Sequence, residues 1–273
     1  MENSIKNKVI VITGGSGVIC SELARGLDKL GAKIAILDLN KEKAIKFAKS
    51  LKRAKGYECN VLDSESLKKV HKQINKDFGK VDILINGAGG NNPKATTDNE
   101  YQEIKQNKTL KDFFKLDKEG IEFVFNLNII GTVLPSQEFS KDMLNRKGCS
   151  ILNISSMNAF TPLTKIPAYS AAKAGVSNFT KWLAVHFSHV GIRVNAIAPG
   201  FFVTNQNKTL LFNNDGTLTS RSKKIINATP MGRFGEVKEL VGATIFLLDS
   251  KSSSFITGVV LPIDGGFSSY SGV

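Results

Sequence analysis

The fold of this chain is predicted by one stretch near its start, Val9-Ile10-Val11-Ile12-Thr13-Gly14-Gly15-Ser16-Gly17-Val18-Ile19-Cys20. Four consecutive β-branched residues are typical of a buried strand, and an amphipathic segment after the glycines indicates a helix. Glycines at such a turn let the backbone approach a pyrophosphate, whose charge is met by amide N–H groups and by the helix N-terminus. The stretch therefore predicts a strand, turn and helix that bind a nucleotide.

The same alternation of apolar runs and amphipathic stretches continues along the chain. Strands are predicted over residues 9–12, 33–37, 57–61, 81–86, 150–154, 193–197 and 259–262. Helices are predicted over residues 19–30, 41–51, 64–78, 121–145, 168–190 and 237–248. This order predicts a Rossmann-type α/β fold, a doubly wound sheet of seven mainly parallel strands with helices on both faces.

Composition indicates a globular protein. A chain of 273 residues with 41% hydrophobic and 22% charged residues can form one domain, here expected over residues 1–273.

No apolar stretch is long enough for a membrane helix, and the first apolar run is too short for a signal peptide. We therefore expect a cytoplasmic protein without a membrane partner. The three cysteines and three histidines are scattered, so no metal site is predicted.

The net charge of +13 raises the alternative of a nucleic-acid partner. The lysines are spread over amphipathic segments, and no arginine-rich run interleaves with aromatic residues. We interpret them as solvated helix faces and expect no nucleic-acid binding. A positive potential could still attract an anionic substrate.

Asp38 indicates which nucleotide binds. It ends the second predicted strand, about 20 residues after the glycine turn, where an acid binds the adenosine ribose hydroxyls and repels a 2′-phosphate. Neither Ser16 nor Leu39 is basic, so NAD is favoured over NADP. The alternative, that Asp38 caps the next helix, is disfavoured because Asn40 can serve that purpose.

A reactive pattern follows the fifth predicted strand, where Ser156 precedes Tyr169-x-x-x-Lys173. Positions i and i+4 share one helix face, so the Lys173 ammonium is expected close to the Tyr169 hydroxyl and should lower its pKa. Such a tyrosine can exchange a proton near neutral pH, while the serine hydroxyl stabilises a developing oxyanion. The pattern predicts reduction of a carbonyl beside the nucleotide.

Two further motifs are Asn86-Gly87-Ala88-Gly89 after the fourth strand and Pro199-Gly200 after the sixth. With these in order, residues 5–267 resemble the short-chain dehydrogenase/reductase superfamily. The resemblance implies a catalytic tetrad: Tyr169 as proton donor, Ser156 on the carbonyl oxygen, Lys173 on the nicotinamide ribose, and Asn128 holding a water. It also implies cofactor contacts from the glycine turn and the strand ends, namely Gly14, Gly15, Ser16, Gly17, Val18, Ile19, Asp38, Leu39, Asn60, Val61, Asn86, Gly87, Ala88, Gly89, Tyr169, Lys173, Pro199, Gly200, Phe202 and Thr204.

The chain departs from the family pattern at Val18 and Cys20, where glycine is common. This departure, with Ser155-Ser156-Met157-Asn158-Ala159-Phe160 and the segment after Gly89, resembles a narrower group of D-mannonate oxidoreductases, which interconvert D-mannonate and D-fructuronate with NAD(H). The resemblance implies a sugar-acid substrate and a homo-oligomer, a dimer or tetramer. Substrate contacts are expected from Ser156, Tyr169, Asn158 and a cation, Lys94 or Arg221, with Arg233 also considered; each loop cation could instead be only solvent-exposed.

Two polar stretches, residues 90–118 and 201–230, interrupt the alternation and leave the carboxyl ends of predicted strands. We interpret them as insertions that form walls of the substrate pocket, with surface insertions or subunit contacts as the alternative. Their polar residues Asn91, Asn92, Asn205 and Gln206 are further candidates. A 3-oxoacyl-carrier reductase and a non-catalytic nucleotide-binding regulator are the competing functions; Asp38 disfavours the first and the intact tetrad the second.

Overall fold

The computed structural model describes residues 4–104, 109–204 and 207–272. Seven strands form one parallel sheet in the order β3-β2-β1-β4-β5-β6-β9. They are β1 (Val9–Thr13), β2 (Lys33–Asp38), β3 (Ala54–Glu58), β4 (Ile83–Asn86), β5 (Cys149–Ile154), β6 (Ile192–Pro199) and β9 (Val260–Ile263). Two short strands, β7 (Phe202–Val203) and β8 (Gly235–Glu236), pair separately. The Rossmann-type fold is thus confirmed.

Helices pack on both faces of this sheet. They are α1 (Val18–Lys29), α2 (Lys41–Ala48), α3 (Ser64–Phe78), α4 (Lys118–Phe125), α5 (Gly131–Phe139), α6 (Pro167–His186), α7 (Lys208–Leu211), α8 (Ser220–Asn227) and α9 (Glu239–Leu248). Two apolar layers result, one under α1 and α9 and the other under α3, α5 and α6. The central strands β1, β4 and β5 are buried along their whole length, which explains why their sequences are almost uniformly apolar.

Two predicted elements were misplaced. The third strand spans Ala54–Glu58, not residues 57–61. Tyr57, Cys59 and Val61 alternate as buried residues, but pairing with β2 ends at Asp38 and Glu58, so the last two lie beyond the strand. The helix predicted over residues 121–145 is α4 and α5 joined by a π-helical turn, Asn126–Ile130.

The strand order places the site. Successive strands are added in one direction from β1 to β3 and in the opposite direction from β4 onwards, and in such sheets ligands bind outside the carboxyl ends of the strands at this switch point. Every predicted catalytic and cofactor residue follows, or packs beside, one of these strand ends. No helix among the described residues is long and apolar enough to cross a membrane.

Candidate active site

The glycine turn after β1 leaves no space for side chains. Gly14 has φ +59°, a conformation that favours glycine, and a Cβ there would lie 3.0 Å from the backbone of Ala88. At Gly15 a Cβ would come within 2.9 Å of the Ile36 side chain and the Ile12 carbonyl oxygen. Gly17 precedes α1, and no side chain caps the first turn of that helix. The backbone can therefore approach an anionic group here.

Thr13 joins the turn to the loop after β4. Its hydroxyl accepts hydrogen bonds from the N–H groups of Gly87 (3.1 Å) and Ala88 (3.2 Å). The two loops on either side of the switch point are thus fixed to each other. Thr13 belongs to the predicted turn, but its hydrogen bonds to the loop after β4 were not predicted from the sequence.

A contact between Cys20 and Gly87 explains how a residue larger than glycine fits at position 20. The buried Cys20 thiol fills the space beside Gly87, where an added Cβ would overlap the sulfur. Burial raises the pKa of this thiol to about 12, so it stays neutral. Cys20 is accommodated because position 87, in the loop after β4, is glycine.

We predict that Gly87→Ala lowers the free energy of unfolding by about 1–3 kcal/mol, the usual cost of overpacking. The new methyl must displace Cys20 and also lies 2.9 Å from the Thr13 carbonyl oxygen. Adding Cys20→Gly should recover part of the loss, which a double-mutant cycle from urea unfolding would measure. Gly242→Ala is the control, since a Cβ at that helical position meets nothing within 4 Å. Additive effects of the two substitutions would contradict the contact.

Asp38 stands at the end of β2, where the sequence predicted a ribose-binding acid. One carboxylate oxygen accepts from the hydroxyl and the amide of Ser16, and the other from the Asn40 amide (3.1 Å). Asn40, not Asp38, caps α2 by accepting from the Lys43 N–H (2.8 Å). The neighbouring Leu39 is 70% exposed. Asp38 therefore places a negative charge beside the glycine turn, and neither Ser16 nor Leu39 next to it is basic.

The predicted adenine contacts lie beyond β3. Asn60 is exposed, and its carboxamide oxygen accepts from the Leu62 N–H (3.0 Å), while Val61 is buried. Asn86 differs from the prediction, since its side chain donates within the core to Ser136 (2.9 Å) and Asn153 (2.9 Å). It anchors the start of the loop in the core, while Gly87 and Ala88 are half-buried and Gly89 is exposed.

Asn128 sits on the π-helical turn and is fully buried. Its amide group donates to the carbonyls of Gly90 (2.7 Å) and Val124 (2.7 Å), and its oxygen accepts from the Gly90 N–H (3.2 Å). A Cβ at Gly89 would lie 2.7 Å from that oxygen and 3.1 Å from Lys173 Nζ. The side chain thus joins the interrupted helix to the loop after β4; the water-holding function stays a prediction.

Ser156, Tyr169 and Lys173 converge at the end of β5. Ser156 and Lys173 are buried, Tyr169 is half-buried, and the serine and tyrosine hydroxyls hydrogen-bond to each other. Lys173 Nζ donates to the Ile154 carbonyl (2.7 Å) and lies 5.6 Å from the centroid of the Tyr169 ring. The spacing of these residues in the sequence is thus converted into one cluster by β5 and α6.

The electrostatics of the cluster differ from expectation in one respect. Burial raises the pKa of Tyr169, and the hydrogen bond with Ser156 lowers it less. Burial also lowers the pKa of Lys173 to about 8, against a small rise caused by Cys20. The predicted lowering of the Tyr169 pKa is therefore wrong, because desolvation of the buried phenol outweighs the effect of Ser156.

The segment after β6 borders the same edge. Gly200 is required because a Cβ would come within 2.6 Å of Asp264. Phe202 is buried, and Asn207 fixes the turn by donating to the Phe202 carbonyl (2.8 Å) and accepting from the Thr204 N–H (2.8 Å). Asn205 and Gln206 lie outside the described residues.

The residues predicted to bind substrate do not all line the same site. Asn158, two residues after Ser156, is buried, and its carboxamide oxygen has no hydrogen-bond partner within the described part of the chain. Arg221 lines a cavity of about 490 Å³. Lys94 is exposed and ion-paired with Glu119 (3.4 Å), and it does not line this cavity. Asn91 and Asn92 bond within their own loop, to Thr96 and to the Lys94 amide.

Sequence reasoning missed three charged residues that line the same cavity, Glu100, Lys165 and Lys224. Nothing in their local sequence distinguishes them from other surface charges, so only the folded chain identifies them.

These residues fit a dinucleotide. The glycine turn lets the backbone approach a pyrophosphate, Asp38 could accept hydrogen bonds from ribose hydroxyls beside this turn, and Gly87, Ala88 and Gly89 carry no bulky side chain after β4. Lys173 and Tyr169 are the residues that would hold the nicotinamide end of such a ligand. When bound, such a cofactor supplies or accepts hydride.

Comparison with known proteins agrees with this geometry. The short chain dehydrogenase family matches residues 8–214. An uncharacterized oxidoreductase of Haemophilus influenzae is 62% identical over 99% of this chain and 96% of its own length. The 5-keto-D-gluconate 5-reductase of Escherichia coli K12 is 32% identical, covering 96% of each chain.

A solved structure from Haemophilus influenzae, provisionally named a D-mannonate oxidoreductase and containing bound NAD, is 62% identical. Its TM-score with this chain is 0.96, covering 99% of this chain and 98% of the other. The predicted cofactor, NAD, is thus confirmed, since this relative contains it. The chain belongs to the short-chain dehydrogenase family.

Proposed function

We propose that this protein is an NAD(H)-dependent oxidoreductase that interconverts a ketone and a secondary alcohol of a sugar acid. D-fructuronate and D-mannonate are the first candidate pair. The observation that carries the reaction type is the cluster of Ser156, Tyr169 and Lys173 beside the glycine turn. Ser156 follows β5, and Tyr169 and Lys173 lie on α6, so two packed elements hold the three side chains close together, which favours a reaction that depends on orientation.

Each side chain has a distinct task in the proposed reaction. In the direction of reduction, Tyr169 donates its hydroxyl proton to the carbonyl oxygen as that oxygen gains negative charge. The Ser156 hydroxyl donates a hydrogen bond to the same oxygen. Lys173, held by the Ile154 carbonyl, would bind the nicotinamide ribose, as the family resemblance implies.

Asn158 supports a polyhydroxylated substrate. A buried carboxamide oxygen without a partner is costly, and a substrate hydroxyl could donate to it. It lies two residues after Ser156, beside the group that would hold the reacting oxygen. Relatives named for gluconate and 5-keto-D-gluconate act on such molecules.

The substrate assignment is tested by NADH oxidation with D-fructuronate, against 5-keto-D-gluconate, neutral ketoses and a 3-oxoacyl thioester. We expect the highest kcat/KM for one of the sugar acids. Preference for the thioester would instead support a 3-oxoacyl reductase. Absence of turnover with every carbonyl would support a non-catalytic nucleotide-binding protein.

We predict that Asp38→Ser shifts cofactor preference towards NADPH by roughly tenfold or more, since removing the carboxylate removes repulsion of a 2′-phosphate. The measurement is kcat/KM for each cofactor at a saturating substrate concentration. Asn40→Ser is the control, because serine also caps helices and the change leaves Asp38 in place. A wild-type protein that already prefers NADPH would contradict the assignment of NAD.

Self-association, predicted from the resemblance, has a candidate surface. Trp182 and Val185 on α6 are 56% and 75% exposed, and Phe123 on the neighbouring α4 is 47% exposed. We propose that these side chains contribute to contacts between copies. Sedimentation analysis of Trp182→Ala and wild type would test this, and an unchanged mass would exclude Trp182 from the interface.

A further inference from the structure

The cavity of about 490 Å³ is built from several segments that meet at the start of α6, the helix that carries Tyr169 and Lys173. Its lining comes from the insertion after β4, from the loop between β5 and α6, and from the segments around α8 and the last described turn. Ile166, three residues before Tyr169 and immediately before α6, lines it, as does Phe201, immediately after Gly200.

The wall of this cavity is fixed rather than formed by free loop ends. Lys165 has φ +34°, an unusual backbone conformation for a residue other than glycine. Its carbonyl accepts from the Thr97 N–H (2.8 Å) and its ammonium donates to the Asp98 carbonyl (2.6 Å). The insertion after β4 is therefore bonded to the loop that leads into the catalytic helix. On the other side, Ile225 of α8 packs in a small apolar cluster with Leu211 and Phe234.

Four charged side chains line the cavity, and three of them already have partners. Lys224 is paired with Glu100 (2.9 Å), and the Lys165 ammonium bonds to the Asp98 carbonyl. Arg221 has neither an ion pair nor a hydrogen bond with any residue in the three described ranges. All its guanidinium donors are thus available to a ligand in this cavity.

The other cations considered are occupied elsewhere. Lys94 pairs with Glu119, and neither residue lines the cavity. Arg233 makes two hydrogen bonds to the Glu239 carboxylate (2.9 and 2.7 Å) and lines a separate cavity of about 100 Å³. Neither could bind a carboxylate without first breaking an ion pair.

We infer that Arg221 binds the carboxylate at the end of the substrate remote from the reacting ketone. A planar guanidinium donates two parallel hydrogen bonds to a carboxylate, which fixes orientation as well as charge. In D-fructuronate three hydroxyl-bearing carbons separate the carboxylate from the ketone, so the two groups require separate subsites. This inference rests on the proposed function and adds the residue that distinguishes a sugar acid from a neutral ketose.

The experiment compares D-fructuronate with D-fructose, in which a hydroxymethyl group replaces the carboxylate. For Arg221→Met we expect the ratio of kcat/KM for the acid to that for the ketose to fall roughly 10- to 100-fold, the range for hydrogen bonds to a charged group. Most of the change should appear in KM, and Arg221→Lys should recover part of it. Lys223→Met is the matched control, since Lys223 is exposed on the same helix but does not line the cavity.

The outcomes separate the two proposals. An unchanged ratio in Arg221→Met, with wild type still reducing D-fructuronate, would overturn the assignment of Arg221 and leave the proposed function intact. If wild type reduces neither compound, binding of D-gluconate to the protein with NADH is measured by nucleotide fluorescence. Binding lost in Arg221→Met but kept in Lys223→Met would support the carboxylate subsite while the proposed reaction fails, and equal binding in both variants would overturn the subsite.

Discussion

Replacing Tyr169 with phenylalanine is expected to lower the turnover of the ketone substrate by roughly 10²-fold or more. Only the hydroxyl is removed, so the ring remains packed against the apolar cluster formed by Val124, Ala168 and Ala172. The substrate oxygen then gains negative charge without a proton donor, and Ser156 alone can only hydrogen-bond to it. The loss should appear in kcat and in kcat/KM together, because the interaction matters as charge develops.

The control for this variant is Tyr101→Phe, which removes the hydroxyl of a tyrosine that is 79% exposed. NADH binding, measured by nucleotide fluorescence, should be similar in both variants and in wild type. Turnover by Tyr169→Phe within a few-fold of wild type would exclude Tyr169 as the proton donor.

Replacing Lys173 with methionine is expected to abolish most activity and yet to stabilise the cofactor-free protein. Burial lowers the pKa of this ammonium from 10.5 to about 8, so the fold carries a penalty for holding the charge at neutral pH. At 1.36 kcal/mol per pKa unit the penalty is about 3 kcal/mol, and loss of the hydrogen bond to Ile154 reduces the net gain to about 1–3 kcal/mol.

The pH dependence of this gain has a defined sign. Between about pH 8 and pH 10.5 the unfolded chain binds a proton at Lys173 that the folded chain has released, so this group makes wild type more stable as pH rises. The advantage of Lys173→Met should thus be largest below pH 8 and disappear near pH 10.5. Urea unfolding at pH 7 and above pH 9 measures it.

Lys181→Met is the matched control, because Lys181 is exposed on the same helix and its removal should change stability little. A gain for Lys173→Met that stays constant with pH would show that packing of the methionine, and not removal of a buried charge, causes it. A loss of stability at pH 7 would contradict the penalty altogether.

Local patterns were sufficient for most of the fold. α3 occurs at the predicted residues, and β1, β2 and β5 differ from prediction by one residue at one end, because their apolar runs and helix-capping residues are local signals. The third strand was wrong because its alternation of buried residues continues past the last residue that pairs with β2. An edge strand has one neighbour, so the limit of pairing, not its own sequence, sets where it ends.

The π-helical turn at Asn128 had no sequence signal. It depends on bonds from the Asn128 carboxamide to Gly90 and Val124, and Gly90 is distant in the chain. The contact between Cys20 and Gly87 is of the same kind. Each residue looked like an isolated departure or a permissive position until the sheet brought the two loops together.

By itself, the sequence determined the strand, turn and helix order, the acid at the end of β2, and the residue types that could exchange a proton with a carbonyl. These depend on spacing along one element or across one turn, which local backbone geometry dictates. The tertiary structure alone decided that burial raises the Tyr169 pKa, that Lys173 is held at an electrostatic cost, and that Arg221 is the cavity cation without a partner among the described residues. Those properties depend on desolvation and on pairing between charges far apart in the chain, and both are set only when distant segments pack against one another.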